Sequence, residues 1–300
     1  MEQVKEVKDI LSPFGSLDVL YYYSIVAEKL IDFLKGKEIA VKIWLSNPKG
    51  IPFFLKRGSN SLPLYIEDFR VVDEKMLKLR AEHSLSEVKN QLASKQELVW
   101  EYFVPRKLID FFYACNREGQ GREIERVFID IDKGKEIKSE IAQNVAKNLV
   151  KIIKNDKEFN KLLKYRMFIM WTGNSFHIYL LLKKSVNLNF YYKYLAYHKD
   201  NPLGSFTGRW AEKIRKKTGI NVQGGHEKTP EHITIDPSGT PSGKLARCPF
   251  SLHMKSAKEA DGIAVPLSEN DLNRKTLVAE LKKLTPEKVI KNIGGYGKLL

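Results

Sequence analysis

Cysteine is scarce in this chain. Cys115 and Cys248 are the only two in 300 residues. That is too few for a disulfide framework or for the paired spacing of a zinc knuckle, so no zinc is expected. No apolar run approaches the ~20 residues needed to span a bilayer, and no membrane partner is expected. The first residues, MEQVKEVKDILSPFG, are charged and carry no signal-peptide core. A reducing, cytoplasmic setting is the simplest expectation. Repeats and low-complexity tracts are lacking too. Acidic residues are in deficit: 36 Asp and Glu stand against 51 Lys and Arg, a formal net charge of +15. An excess of that size points to a polyanionic partner such as nucleic acid. A lysine-rich surface of the heat-stable type, poor in glutamine, is the competing explanation.

A hydrophobic fraction of 43% is ordinary for a globular protein with a real core. Periodicity predicts helices over 17–35, 84–94, 107–115, 136–154, 189–198, 206–218 and 271–283. Strands are expected over 38–46, 97–105, 126–132, 165–171, 176–182, 232–236, 245–256 with a break at Pro249, and 263–268. Residues 47–63, rich in Gly, Pro, Ser and Asn, read as a loop. That loop holds an aromatic pair, Phe53 and Phe54, beside Lys56 and Arg57. Such a mixture is α+β with hairpins, not a regular βαβ series.

Three constellations carry chemistry. In RVFIDIDKG, Asp130 and Asp132 sit on one face of a strand, and Ile129 and Ile131 on the other. Two like charges this close call for something positive between them. Asp236 ends a second strand, and three converging carboxylates suit two divalent cations, Mg²⁺ or Mn²⁺. Solvated aspartates at a capped strand end are the plainer alternative. In TGNSFHIYL, the turn Thr172, Gly173, Asn174, Ser175 can aim backbone N–H groups at a phosphate, and His177 follows on the face of Tyr179. A structural hairpin histidine is the alternative there. In RCPFSLHMKS, Arg247, Ser251, His253 and Lys255 gather donors able to grip a triphosphate, although a charge cluster is more often a solvated surface.

The order of these motifs resembles the archaeo-eukaryotic primase superfamily. VFIDID looks like its first motif, TGNSFH like its small-residue and histidine motif, and ITID like its third. RCPFSLHMKS is similar to the phosphate-holding segment of primase catalytic subunits. In the amino-terminal third, LDVLYYYSIVAEKLIDFLKGKEIAVKIW and GIPFFLKRG resemble the opening of polymerase modules of prokaryotic end-joining DNA ligases. Thr172 stands where many relatives have Ser, and the turn before His177 is one residue shorter. His253 and Lys255 look like the replicative-primase version.

The resemblance implies a single catalytic domain over 1–300, with a DNA-contacting part in 1–120 and the motifs in 121–300. Its fold would be primase-like, with mixed and antiparallel sheets flanked by helices. Asp130, Asp132 and Asp236 would bind the metals. Thr172 to Ser175, His177, Arg247, Ser251, His253 and Lys255 would bind the nucleotide. Phe53 or Phe54 would stack on a base, and Lys56 and Arg57 would meet the DNA backbone. The implied activity is template-directed transfer of an NTP or dNTP to a 3′-hydroxyl on primer-template, gapped or broken DNA, with a DNA ligase or end-binding protein as partner. Primer synthesis is the second role. A D-x-D phosphatase of the haloacid dehalogenase type and a non-catalytic nucleic-acid-binding protein are the alternatives of other classes.

Overall fold

A computed structural model describes residues 18–45, 50, 52–104, 109–227, 229–256 and 259–300. Residues 1–17, the expected end of the first strand at 46, loop positions 47–49 and 51, and the junction at 105–108 lie outside them.

In chain order the elements are α1 (Val19–Leu34), β1 (Glu38–Trp44), β2 (Phe53–Arg57), β3 (Leu64–Tyr65), α2 (Glu74–Glu82), α3 (Leu85–Val88), α4 (Ser94–Tyr102) and β4 (Ile109–Ala114). There follow β5 (Ile124–Lys133), α5 (Ser139–Asn155), α6 (Lys157–Leu162), β6 (Tyr165–Trp171), β7 (Phe176–Val186), α7 (Leu188–Phe190) with a π turn Tyr191–Leu195, and α8 (Phe206–Thr218). The rest are β8 (Val222–Gly224), β9 (Ile233–Asp236), β10 (Leu245–Arg247), β11 (Leu252–Met254), β12 (Ala260–Ile263), β13 (Val265–Leu267), α9 (Leu277–Leu281), α10 (Pro286–Lys291) and α11 (Ile293–Gly297).

Two mixed sheets result. One runs β12-β11-β4-β1-β2, with β10 beside β4 and β3 beside β1; the other runs β13-β6-β7-β5-β9-β8. Neighbours are antiparallel except β11 with β4 and β8 with β9. The α+β expectation with helix-flanked mixed sheets is met.

The amphipathic α1 buries Val19, Tyr22, Tyr23, Val26, Leu30 and Phe33. Asp18 caps it, accepting from the N–H groups of Leu20 and Tyr21. The Tyr23 hydroxyl donates to Ile109 O, and the Tyr22 hydroxyl donates to Phe250 O. Each buried hydroxyl thus ties α1 to the first sheet while satisfying its own polarity. In the second sheet, Phe168 meets Phe33 of α1 at 4.9 Å, so its even-numbered face looks toward the first sheet. Tyr165, on the odd-numbered face, reaches Asn160 and Phe159 of α6, so α5 and α6 cover that face.

Several expectations fail. Residues 97–105 were expected as strand, yet Ser94–Tyr102 is helix. Val99, Trp100 and Tyr102 are buried at helical spacing, and the Gln96 side chain accepts from the Ala93 N–H to start the turn. Residues 107–115 were expected as helix, yet Ile109–Ala114 is strand, pairing with β1, β10 and β11. Ile109, Phe111 and Tyr113 alternate with Asp110 and Phe112, the period of a pleat. Phe53–Arg57, expected as loop, is an edge strand on β1. The helix expected over 84–94 is broken into α3 and a 3₁₀ turn before α4 starts.

Candidate active site

Period two in β5 puts Val127, Ile129 and Ile131 into the core on one side, and Asp130 and Asp132 on the other. The strand lies between antiparallel neighbours. Register sets Asp130 opposite His177 on β7 and opposite Asp236 on β9. Directly opposed residues share a face, with Cα atoms ~4.5–5.5 Å apart. A row therefore runs His177–Asp130–Asp236 across three strands. Asp132 follows two residues along, opposite the buried Thr234.

His177 is buried, with Nε2 3.2 Å from Asp130 Oδ1 and Nδ1 3.3 Å from the Tyr179 hydroxyl. The Phe128 ring meets it edge-on at 4.8 Å, and the Tyr179 hydroxyl donates to Arg247 O at 3.2 Å. This chain fixes the imidazole against Asp130. The Ser238 N–H and hydroxyl each donate to Asp236 at 2.8 Å. Burial, with the Asp130 charge added, still holds the Asp236 carboxyl above the ordinary range.

The donor set is one of hard oxygens, which suits a divalent cation. A half-buried carboxyl raised by desolvation, with a second carboxylate beside it, is the electrostatic setting a cation relieves. Among the described residues, no three His, Cys, Asp or Glu are gathered into a ready-made metal cage.

The turn after β6 is closed on itself. Thr172 N–H donates to Ser175 O at 2.9 Å, and Ser175 N–H donates to Thr172 Oγ1 at 3.0 Å. The Ser175 hydroxyl donates to Ile131 O of the acidic strand. Asn174 Nδ2 donates to Asp261 at 3.2 Å, and the Ser139 hydroxyl at the start of α5 donates to Asn174 O at 2.8 Å. Gly173 has φ +103°; a Cβ there would stand 2.8 Å from His253 Cβ and 3.1 Å from the backbone of Gly262. The two sheets touch at this point, and only glycine fits. His253 Nδ1 donates to Thr172 O at 2.8 Å. Burial, reinforced by Arg247, pushes the His253 ring down to about 3, so it is neutral at pH 7.

No protein-family model matches this chain, and no curated protein does. Among solved structures, the polymerase domain from Mycobacterium tuberculosis Ligase D in complex with DNA is similar, at 16% identity and a TM-score of 0.59. The likeness covers 99% of this chain and 96% of that one. The chain has the fold of a ligase polymerase domain.

Within this polymerase-domain fold, the other expected residues divide sharply. Arg247 donates to Asp110 Oδ1 and Leu252 O, both at 2.7 Å, and its guanidinium lies over the Phe112 ring. Ser251 is fully buried, accepting from Phe111 N–H and donating to Leu252 O. Both therefore shape the segment from inside. Lys255 is exposed and pairs with Glu259 at 2.9 Å. Lys56 pairs with Glu101 at 3.1 Å, and Arg57 forks onto Glu118 while donating to Gly243 O.

Phe53 and Phe54 point to opposite faces of β2. The Phe53 ring lies 5.7 Å from Trp44, and Lys42 Nζ sits within 4.2 Å of both ring centres. Trp44 Nε1 donates to Asp110 at 2.8 Å. Phe53 thus shares a connected sheet face with Asp110 and Arg247. Phe54, 51% exposed, does not.

Sequence reading missed Asp110 and the cleft beyond Asp236. Asp110 sat in a stretch assigned the wrong period. The cleft, of about 560 Å³, is lined by Tyr191, Tyr192, Tyr197, His226, Ser238 and Lys244, among others. Its tyrosines come from the π turn and the residues after it, where no local pattern marks a site. Burial, with the Asp236 charge added, pushes the Tyr191 hydroxyl up to about 12.

Proposed function

We propose that this protein is a metal-dependent, template-directed nucleotidyltransferase. It adds an NTP or dNTP to a 3′-hydroxyl at DNA gaps or broken ends, working beside a DNA ligase or end-binding protein. One observation carries the reading: Asp236, Asp130 and His177 meet in a single register row, on a fold shared with a polymerase domain that was captured on DNA.

Asp130, Asp132 and Asp236 would hold two Mg²⁺ or Mn²⁺ ions. When bound, such ions lower the pKa of an attacking hydroxyl and offset charge on the transferred phosphate. The chain's own residues do the rest. His177, held by Tyr179 and Phe128, fixes Asp130 at the centre of the row. In the turn Thr172–Ser175, whose end N–H groups are committed to each other, Gly173 and Asn174 would face the nucleotide phosphates, and exposed Lys255 would exchange Glu259 for them. His253, neutral and donating to Thr172 O, sets the position of that turn and adds no positive charge. In-line displacement puts the attacking and leaving oxygens on opposite sides of the phosphorus. With the phosphates on the turn side, the 3′-hydroxyl approaches from the cleft side of Asp236. Phe53, on the face of Asp110 and Arg247, stacks against a base.

Extension of a gapped duplex bearing a 5′-phosphate, compared with synthesis on an unprimed single strand, tests the reading. Incorporation on the gap in Mg²⁺ or Mn²⁺, abolished by Asp130→Asn with DNA binding retained, is expected. Activity confined to the unprimed strand would transfer the assignment to primer synthesis. Templated incorporation on neither substrate removes it.

A further inference from the structure

The excess charge is unevenly distributed. Residues 1–120 hold 18 Lys and Arg against 17 Asp and Glu, whereas residues 121–300 hold 33 against 19. A heat-stable surface enriches lysine and glutamate together. The first 120 residues follow that pattern and the remainder does not, so composition alone does not explain the excess.

Much of it lies on the helical layer behind the acidic sheet. Residues 138–164 and 206–218 contain 12 Lys and Arg and four acids. Three of those acids already have cationic partners: Glu158 with Arg209, Glu212 with Arg215 and Lys216, and Asp156 with Lys213. Lys147, Lys151, Lys157, Lys161 and Lys217 have no ion pair among the described residues. All but the partly covered Lys147 are exposed. Lys147, Lys151 and Lys154 follow i, i+4, i+7 spacing on the outer side of α5, a stripe ~10 Å long whose last member is paired with Glu269 at 2.8 Å. At 3.4 Å per phosphate along one DNA strand, that spans about three phosphates.

Lys164, where α6 runs into β6, adds one more cation at the edge of this layer. It is exposed, has no ion pair among the described residues, and its Nζ donates to Asn160 O of α6 at 2.8 Å.

We propose that the α5–α6–α8 layer is a second nucleic-acid surface, gripping a duplex backbone on the side of the sheet opposite the aspartate row. It requires no turnover and stands whether or not the proposed activity does.

The test is salt-dependent binding of the full chain to a 30-base-pair duplex, without nucleotide or metal. The variant carries Lys147→Gln, Lys151→Gln, Lys161→Gln, Lys164→Gln and Lys217→Gln. A matched control carries Lys29→Gln, Lys75→Gln, Lys78→Gln, Lys89→Gln and Lys95→Gln, which removes the same charge from the balanced region. Each lost phosphate contact lowers the slope of log K against log salt by about 0.9. The expected result is a slope reduced by about 3 or more and affinity down more than tenfold in the first variant only, with unchanged melting temperatures. An unchanged slope overturns the proposal. An equal fall in the control also overturns it, since diffuse net charge would then account for the binding. So does a loss confined to binding of acidic protein or anionic vesicles.

Discussion

Asp110 and Asp236 are both strand carboxylates, the first buried and the second half-buried, and their surroundings differ. Asp110, in the first sheet, receives Arg247 at 2.7 Å, Trp44 Nε1 at 2.8 Å and Met254 N–H at 2.9 Å. Its charge is answered inside the fold. Asp236, in the second sheet, receives the N–H and hydroxyl of Ser238 and faces Asp130; burial, with the Asp130 charge added, holds its carboxyl raised. The first sheet uses charge as structure. The second sets two carboxylates face to face, the arrangement that the proposed cations would relieve. On the proposed reading, the pair separates a residue that holds the fold from one that acts in the site.

The largest expected effect tests that separation. Asp110→Ala leaves a buried Arg247 uncompensated and should cost about 3–5 kcal/mol in chemical denaturation. Asp236→Asn should cost less than about 1 kcal/mol while lowering incorporation more than about 100-fold. Equal destabilisation by the two variants would erase the distinction. Next comes the point where the sheets touch. Gly173→Ala should cost about 1–3 kcal/mol and raise the nucleotide KM, because both φ and the space at His253 are wrong for a side chain. A melting curve identical to wild type would show that the sheets are free to part there.

The last effect is in pH. His253 is held neutral in the fold down to about pH 3, from an ordinary value of 6.5. The unfolded chain takes up the proton first as pH falls. This contribution is therefore complete above about pH 6.5 and is lost on acidification toward 3, by at most about 1.4 kcal/mol per pH unit. Denaturation at pH 7, 6 and 5 should show a shallower loss in His253→Asn. Parallel slopes would mean that the ring is not desolvated.

The second sheet was the more legible in sequence. Residues 165–171 and 206–218 were read with the bounds they have, and 126–132 lacks only its ends. There the strands that were read alternate cleanly or run apolar between turn residues; the three-residue β8 was not read as a strand. The first sheet was misread where its chemistry is buried. Asp110 breaks the hydrophobic face of β4, and Glu97 to Phe103 is rich in residues that favour strands yet buries its apolar side at helical spacing. Residue types alone pointed to the aspartates. The pairing of Asp130 with both His177 and Asp236 required the register. The internal commitments of Arg57, Arg247 and Ser251 depend on partners more than a turn of chain away, which no local pattern encodes.

Gly173 and Gly262 meet backbone to backbone, and His253 anchors that junction through Thr172 O. It is one of several seams between the sheets, the Tyr179 hydroxyl on Arg247 O being another. The same turn is bonded through the Ser175 hydroxyl to Ile131 O, between the two aspartates of β5. A side chain forced in at Gly173 would therefore be felt at the acidic strand as well as at the seam.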